Sequence, residues 1–279
     1  MTYGKAIELF LVNGTADSLI TAELSNWNGK AIKIPRTEVS PCNREDIKGV
    51  GVYFLICQED NGTDSVYIGE AENIQERLRQ HLHDYQSGNE KYYWNTAVIF
   101  VGRDLNKALI RYLENRFVEI AKECCRYSIL TKNTYKNTVL KESQIASMEE
   151  FIDNVKTLIN TLGYKVLEPV PKASDKTIYL FCKGKESGAL AKGFISNGGF
   201  TVLKGSAISN HTARSMETQG KTYYNLRNTL IKDGTIINYV FVRDYEFNAP
   251  SAASAVVLGR TSNGNTDWKT EDGKLLKDL

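Results

Sequence analysis

Two periods alternate along the first two thirds of the chain. Residues 49–57 (GVGVYFLIC) and 65–69 (SVYIG) are β-favouring runs. The stretch between them (QEDNGTD) carries an Asn-Gly pair, so the spacing predicts a hairpin. From 72 to 86 the period lengthens, with Ile74, Leu78, Leu82 and Tyr85 on one helical face. Residues 92–101 (YYWNTAVIFV) read as a third strand. Residues 105–123 give the clearest helix, through Leu105, Leu109, Tyr112, Leu113, Phe117 and Ile120. A further helix spans 144–163 and stops at Gly163.

The flanks read differently. Residues 6–12 and 17–24 suggest two short strands around Asn13-Gly14, and 25–48, with Pro35 and Pro41, read as loop. Residues 1–48 are therefore expected to be a β lead-in to a unit at 49–167. The stretch 168–176 holds two prolines in three residues (Pro169, Pro171) and reads as a linker. Residues 177–279 suggest a second α+β unit, with strands at 177–183, 188–195 and 199–205, a helix near 221–232, a strand near 236–243 and a helix at 251–258.

Composition adds bounds. The chain has 279 residues, 42% hydrophobic and 24% charged, which suits two packed domains. No apolar run approaches the ~20 residues that cross a bilayer, and the N-terminus lacks the pattern of a secretory signal. A cytoplasmic protein without membrane association is expected. The net charge of +2 decides little, since a nucleic-acid binder concentrates its charge in a patch. None of the five cysteines is in a CxxC pair, and three histidines offer no zinc-ligand spacing.

Five residues stand out. Tyr53 and Tyr67 lie in strands beside glycines. Arg77 and His81 are one turn apart and stack on one side of a helix, next to its apolar face. Glu114 falls at the edge of the apolar stripe of the long helix, beside Ile110 and Ala121 in projection. A strand tyrosine packs more often than it reacts, and a helix-edge carboxylate is commonly solvated.

Their order is more specific than any one of them. Gly51-Val52-Tyr53, then Tyr67-Ile68-Gly69, then Arg77 in the following helix and Glu114 on a later one resemble the GIY-YIG nuclease family. The run YIGEAENIQERLRQH fits the second motif and its helix, and the resemblance extends from about Gly51 to Gly163. Val52 replaces the motif's Ile. The family's fold is a small three-stranded antiparallel sheet flanked by helices, and the strand–strand–helix–strand–helix pattern agrees with it.

The resemblance implies metal-dependent hydrolysis of phosphodiester bonds, leaving 5′-phosphate and 3′-hydroxyl ends. Tyr53 would act as general base, helped by nearby positive charge. Arg77 would hold non-bridging phosphate oxygens. Glu114 would bind one Mg²⁺ or Mn²⁺, Tyr67 would position phosphate or water, and His81 would relay a proton or bind phosphate. Arg79, Lys132, Asn133 and Lys136 are candidates for nucleic-acid contact. The expected partner is DNA, with a dimer needed for a concerted double-strand cut.

Residues from about 200 to 271 resemble a domain of unknown function often found downstream of GIY-YIG domains. The matching pieces are Val202-Leu203-Lys204-Gly205-Ser206, the run from Ala249 to Ala255, Leu258-Gly259-Arg260, and Asn263-Gly264 followed by Trp268. Pro250 opens a helix that Gly259 closes. Ala249 stands where a Ser cap is typical and Asn265 where an aromatic is common. Ser206, Ser251, Arg260 and Trp268 are candidate nucleic-acid contacts, with a structural cap or protein-binding module as the plain alternative. Two other readings of the whole chain stay open: a non-catalytic nucleic-acid binder that keeps the fold, and a toxin-like subunit active only with a partner.

Overall fold

The computed structural model describes residues 3–58, 64–134, 138–184 and 188–279. The chain divides into two compact units, with the boundary between Glu168 and Pro169. No helix among the described residues is long and apolar enough to cross a membrane.

The first unit holds β1 (Ile7–Leu11), β2 (Ile20–Leu24), β3 (Gly29–Pro35), α1 (Arg36–Val39), β4 (Gly51–Gln58), β5 (Asp64–Ala71), α2 (Ile74–Gln86), β6 (Thr96–Gly102), α3 (Lys107–Cys124), β7 (Ser128–Ile129) and α4 (Glu142–Thr161). The strands form one seven-stranded sheet in the order β1-β2-β3-β6-β4-β5-β7. All pairs are antiparallel except β5–β7.

This corrects the expected three-stranded sheet. The lead-in strands join the same sheet through β3, which pairs with β6 from Gly29↔Gly102 to Pro35↔Thr96. Residues 29–35 read as loop because lysines interrupt their apolar positions. Pro35 is tolerated because it is the last residue of the strand.

β4 lies between β6 and β5 and is buried on both faces, which explains its unbroken apolar run. Its alternate residues serve two cores. Val52, Phe54 and Ile56 pack with Leu113, Phe117 and Ile152 from α3 and α4. Tyr53, Leu55 and Cys57 pack with Ile74 and Leu78 of α2. Asn73 caps α2 by accepting from the Glu76 amide at 3.2 Å, and Asn106 caps α3 by accepting from the amides of Ala108 and Leu109. α4 ends at Thr161, and Gly163 at φ +94° makes the left-handed turn that follows.

The second unit holds β8 (Leu180–Lys183), β9 (Leu190–Ser196), β10 (Gly199–Val202), α5 (Arg214–Thr218), α6 (Lys221–Lys232), β11 (Ile236–Ile237), β12 (Val240–Phe241), β13 (Tyr245–Phe247), α7 (Pro250–Leu258), α8 (Gly264–Asp267) and β14 (Trp268–Lys269). Five strands form an antiparallel sheet in the order β13-β10-β9-β8-β14. The expected strand at 236–243 is instead a small hairpin, turned by Asn238 and Tyr239 at positive φ. From Ala252 to Leu258 every residue of α7 is buried, so this helix is the centre of its unit's core.

Candidate active site

The hairpin sets the site. In the β4–β5 register Tyr53 faces Gly69, and a Cβ at residue 69 would lie 2.5 Å from the Tyr53 hydroxyl oxygen. The glycine is there so that the Tyr53 ring can lie across its partner strand. Gly51 has a similar reason, since a Cβ there would come within 2.6 Å of the Phe100 carbonyl oxygen.

Tyr53 is fully buried. Its hydroxyl oxygen accepts from Arg77 Nε at 3.2 Å and lies 2.9 Å from His81 Nε2. His81 Nδ1 in turn lies 2.6 Å from Glu90 Oε2. A carboxylate only accepts, so Nδ1 carries the proton that bridges to Glu90. In the neutral ring Nε2 is then an acceptor, and the Tyr53 hydroxyl donates to it. Tyr67 stacks on Tyr53 with ring centroids 6.2 Å apart and on Tyr92 at 5.8 Å. Tyr67 also helps to keep the Arg77 guanidinium charged. Burial pushes the Tyr53 phenol well above its ordinary value, the neighbouring Tyr67 adds to this, and Arg77 opposes it.

Glu90 is a site residue that no motif in the sequence marks. It follows α2 in a loop that turns back at Gly88, φ +75°, where the amides of Asn89 and Glu90 both bond the Asp84 carbonyl. That reversal returns Glu90 to the helix face of His81. The sequence signal is the Ser87-Gly88-Asn89 turn at a helix end with an acid behind it.

Glu114 is buried on α3, and its Oε2 has no hydrogen-bond partner among the described residues. Burial and the neighbouring Glu70 push its carboxyl up to about 7, against the pull of Lys107, Arg111 and Arg77. Its charge is felt at Tyr53 as well, so the carboxylate and the Tyr53–Arg77 pair belong to one electrostatic site. Glu70, directly after the Tyr67-Ile68-Gly69 motif, is engaged by Lys107 at 3.2 Å and Arg111 at 3.7 Å. A buried carboxylate oxygen left unbonded fits a hard divalent cation that completes its shell with water and phosphate oxygens. No cluster of three or more potential protein ligands occurs among the described residues, so Glu114 would serve as a single anchor.

The other candidates are placed apart. Arg79 donates to the carbonyls of Ser40 and Cys42, 3.4 and 3.3 Å away, fastening α2 to the segment after α1. Lys132 and Asn133 are exposed in the strand-like segment after β7. Lys136 lies outside the described residues. The segment itself is anchored by Thr131, whose hydroxyl accepts from the Ile68 amide at 2.8 Å and donates to the Ile68 carbonyl at 2.7 Å. Thr134 continues the contact by donating to Asn115, the neighbour of Glu114.

In the second unit, all four residues singled out from sequence have internal partners. Trp268 is fully buried and donates from Nε1 to the Pro250 carbonyl at 3.0 Å. Ser206 is buried, bonding both backbone groups of Lys192. Ser251 Oγ accepts from the Gly264 amide at 3.0 Å, and a Cβ at Gly264 would overlap the backbone of Pro250 and Ser251. The Ala249–Ala255 and Asn263-Gly264 motifs therefore lock the start of α7 to α8. Arg260 is exposed and pairs with Asp267 at 3.1 Å.

The hairpin brings Tyr53 together with Arg77 and His81 of α2. Residues 49–123 match the GIY-YIG catalytic domain, and residues 180–279 match a domain of unknown function, DUF4357. The chain thus carries a GIY-YIG domain followed by DUF4357. No curated protein and no solved structure matches the chain.

Proposed function

We propose that the chain is an endonuclease that hydrolyses DNA phosphodiester bonds with Tyr53 as general base. The observation that carries this reading is the hydrogen-bond chain from Arg77 through Tyr53 and His81 to Glu90. A buried phenol is a poor base while it keeps its proton. Here His81 Nε2 is placed to take that proton, Glu90 to hold the resulting imidazolium, and Arg77 to stabilise the phenolate. The phenolate then removes a proton from water, which attacks phosphorus; the 3′ oxygen leaves and takes a proton from solvent water, and the His81 imidazolium gives its proton back to solvent. Products with 5′-phosphate and 3′-hydroxyl ends result. Arg77 carries a second benefit, since its planar cation can face a non-bridging phosphate oxygen.

Glu114 would hold a divalent ion, Mg²⁺ or Mn²⁺, and bound there it would neutralise charge on the phosphate and the leaving oxygen. Tyr67, stacked between Tyr53 and Tyr92, orients the base from its side. Lys132, Asn133 and Lys136 are proposed to guide the DNA backbone.

The test is magnesium-dependent cleavage of plasmid and single-stranded DNA. Wild type nicks the DNA, Tyr53→Phe does not, and Glu114→Ala binds DNA without cutting it. Cutting by Glu114→Ala at the wild-type rate would overturn the metal assignment. Equal inactivity of wild type and Tyr53→Phe would leave a non-catalytic binder.

A further inference from the structure

The second unit presents a sheet face that no role above uses. In the register of its outer strands, Phe181 on β8 lies between Lys192 on β9 and Lys269 on β14. Directly paired residues share one face of a sheet. The opposite face, with Leu180, Cys182 and Trp268, is the buried core, so the Lys192–Phe181–Lys269 row lies on the outer side. Alternation adds Lys183 to the same side of β8, and Tyr179, just before the strand, joins it through its contact with Lys192. Lys192 Nζ lies 3.7 Å from the Tyr179 ring centroid and 5.9 Å from that of Phe181.

A cavity of 910 Å³ opens beside this row, lined by Phe181, Lys183 and Lys269 together with His211 and Arg260. Its size is that of a small-ligand site. Two carboxylates also line it, Asp267 and Glu271. Asp267 is occupied by Arg260 and by the Ser262 hydroxyl. Lys183, Lys192 and Lys269 pair with no carboxylate among the described residues, so the face keeps an excess of positive charge.

We propose that this face binds an unpaired stretch of nucleic acid, with one base in the cavity stacked on Phe181 and the flanking phosphates on Lys183 and Lys269. Interleaved aromatic rings and free ammonium groups suit alternating bases and phosphates. An apolar protein partner would not need the lysines, and an acidic one would not need the ring at the cavity wall. The binding itself stands independently of the nuclease reading.

The experiment uses the full chain carrying Glu114→Gln, so that the probe stays intact. A dye-labelled 20-nucleotide single strand is titrated across a salt series, as DNA and as RNA, beside the matching duplex. Lys183→Glu with Lys269→Glu weakens single-strand binding at least ~10-fold and lowers the slope of log affinity against log salt by about 1.5. Lys221→Glu with Lys232→Glu, the same charge change on α6, leaves both nearly unchanged. Phe181→Leu weakens binding roughly 5- to 100-fold, leaves the salt slope in place and abolishes quenching of a 2-aminopurine in the strand. Wild-type affinity and slope in the β8–β14 charge reversal would overturn the proposal and leave the face to a protein partner. Equal losses from both charge reversals would overturn it too. If the nuclease reading fails, the chain with Glu114 intact leaves DNA uncut in magnesium while these binding losses persist.

Discussion

His81 Nε2 lies 2.9 Å from the Tyr53 hydroxyl oxygen, while the opposite ring nitrogen lies 2.6 Å from Glu90. The imidazole is thus held between an acid that fixes its tautomer and a phenol that needs a proton acceptor. Glu90 also keeps its second oxygen buried and without a partner among the described residues. A purely structural carboxylate would rarely be left in that state.

Glu90→Gln is therefore expected to slow cleavage about 10- to 100-fold with little change in KM, because the amide no longer selects one tautomer or holds the imidazolium. Steady-state kinetics across pH check this, with Glu90→Asp as the partial rescue. An unchanged kcat would limit Glu90 to packing.

The motif glycine can be tested in the same way. In Gly69→Ala the new methyl would sit within 3 Å of Tyr53 and Tyr67. The Tyr53 hydroxyl must then move off His81 and Arg77. A shift on the order of 1 Å at a reacting group costs about 100-fold in rate, and the overpacking costs about 1–3 kcal/mol of stability. Cleavage assays alongside denaturant unfolding separate the two. Activity within a factor of two of wild type would mean that the hydroxyl position is not critical.

How much of this was legible in the chain varies with the kind of interaction. The helices of the first unit were read from their apolar period because they bury one stripe each. β3 was not, since Lys30 and Lys33 break its alternation and its assignment depends on pairing with β6, far along the chain. Tyr53, Arg77, His81 and Glu114 draw attention by their order along the chain, which a sequence displays. Glu90 and Glu70 do not, because each matters only through a neighbour brought in by folding. Trp268 misled for the opposite reason. An aromatic in a polar stretch suggests a contact residue, yet its ring is in the core and its N–H is satisfied internally.

Thr131 gives a prediction about the sheet rather than the chemistry. Its hydroxyl replaces a missing strand neighbour for both backbone groups of Ile68, between Tyr67 and Gly69. Thr131→Val keeps the shape and leaves that amide and carbonyl unpaired. A loss of about 2–3 kcal/mol is expected. Hydrogen exchange at the Ile68 amide should accelerate locally. Thr131→Ser, which keeps the hydroxyl, should stay close to wild type. Equal stability of the Val and Ser variants would show that the hydroxyl contributes nothing there.

Glu114 links stability to pH and metal. Burial beside Glu70 raises its carboxyl from an ordinary 4.5 to about 7. Between those values the folded protein holds a proton that the unfolded chain has released. This group's contribution to stability is therefore largest at low pH, falls as pH rises through that window, and stays low above it. Glu114→Gln removes the dependence. At pH 8 the variant should be the more stable protein, by on the order of 1 kcal/mol once solvent screening is allowed for, while near pH 4.5 the two should melt alike. A divalent ion would act in the opposite sense, binding the ionised carboxylate of wild type. Mn²⁺ should raise the melting temperature of wild type at pH 8, do so less at pH 5.5, and leave Glu114→Gln unmoved at either pH. Scanning calorimetry of both proteins with and without Mn²⁺ decides the matter. A metal-induced rise in the variant equal to that of wild type would place the ion on other residues.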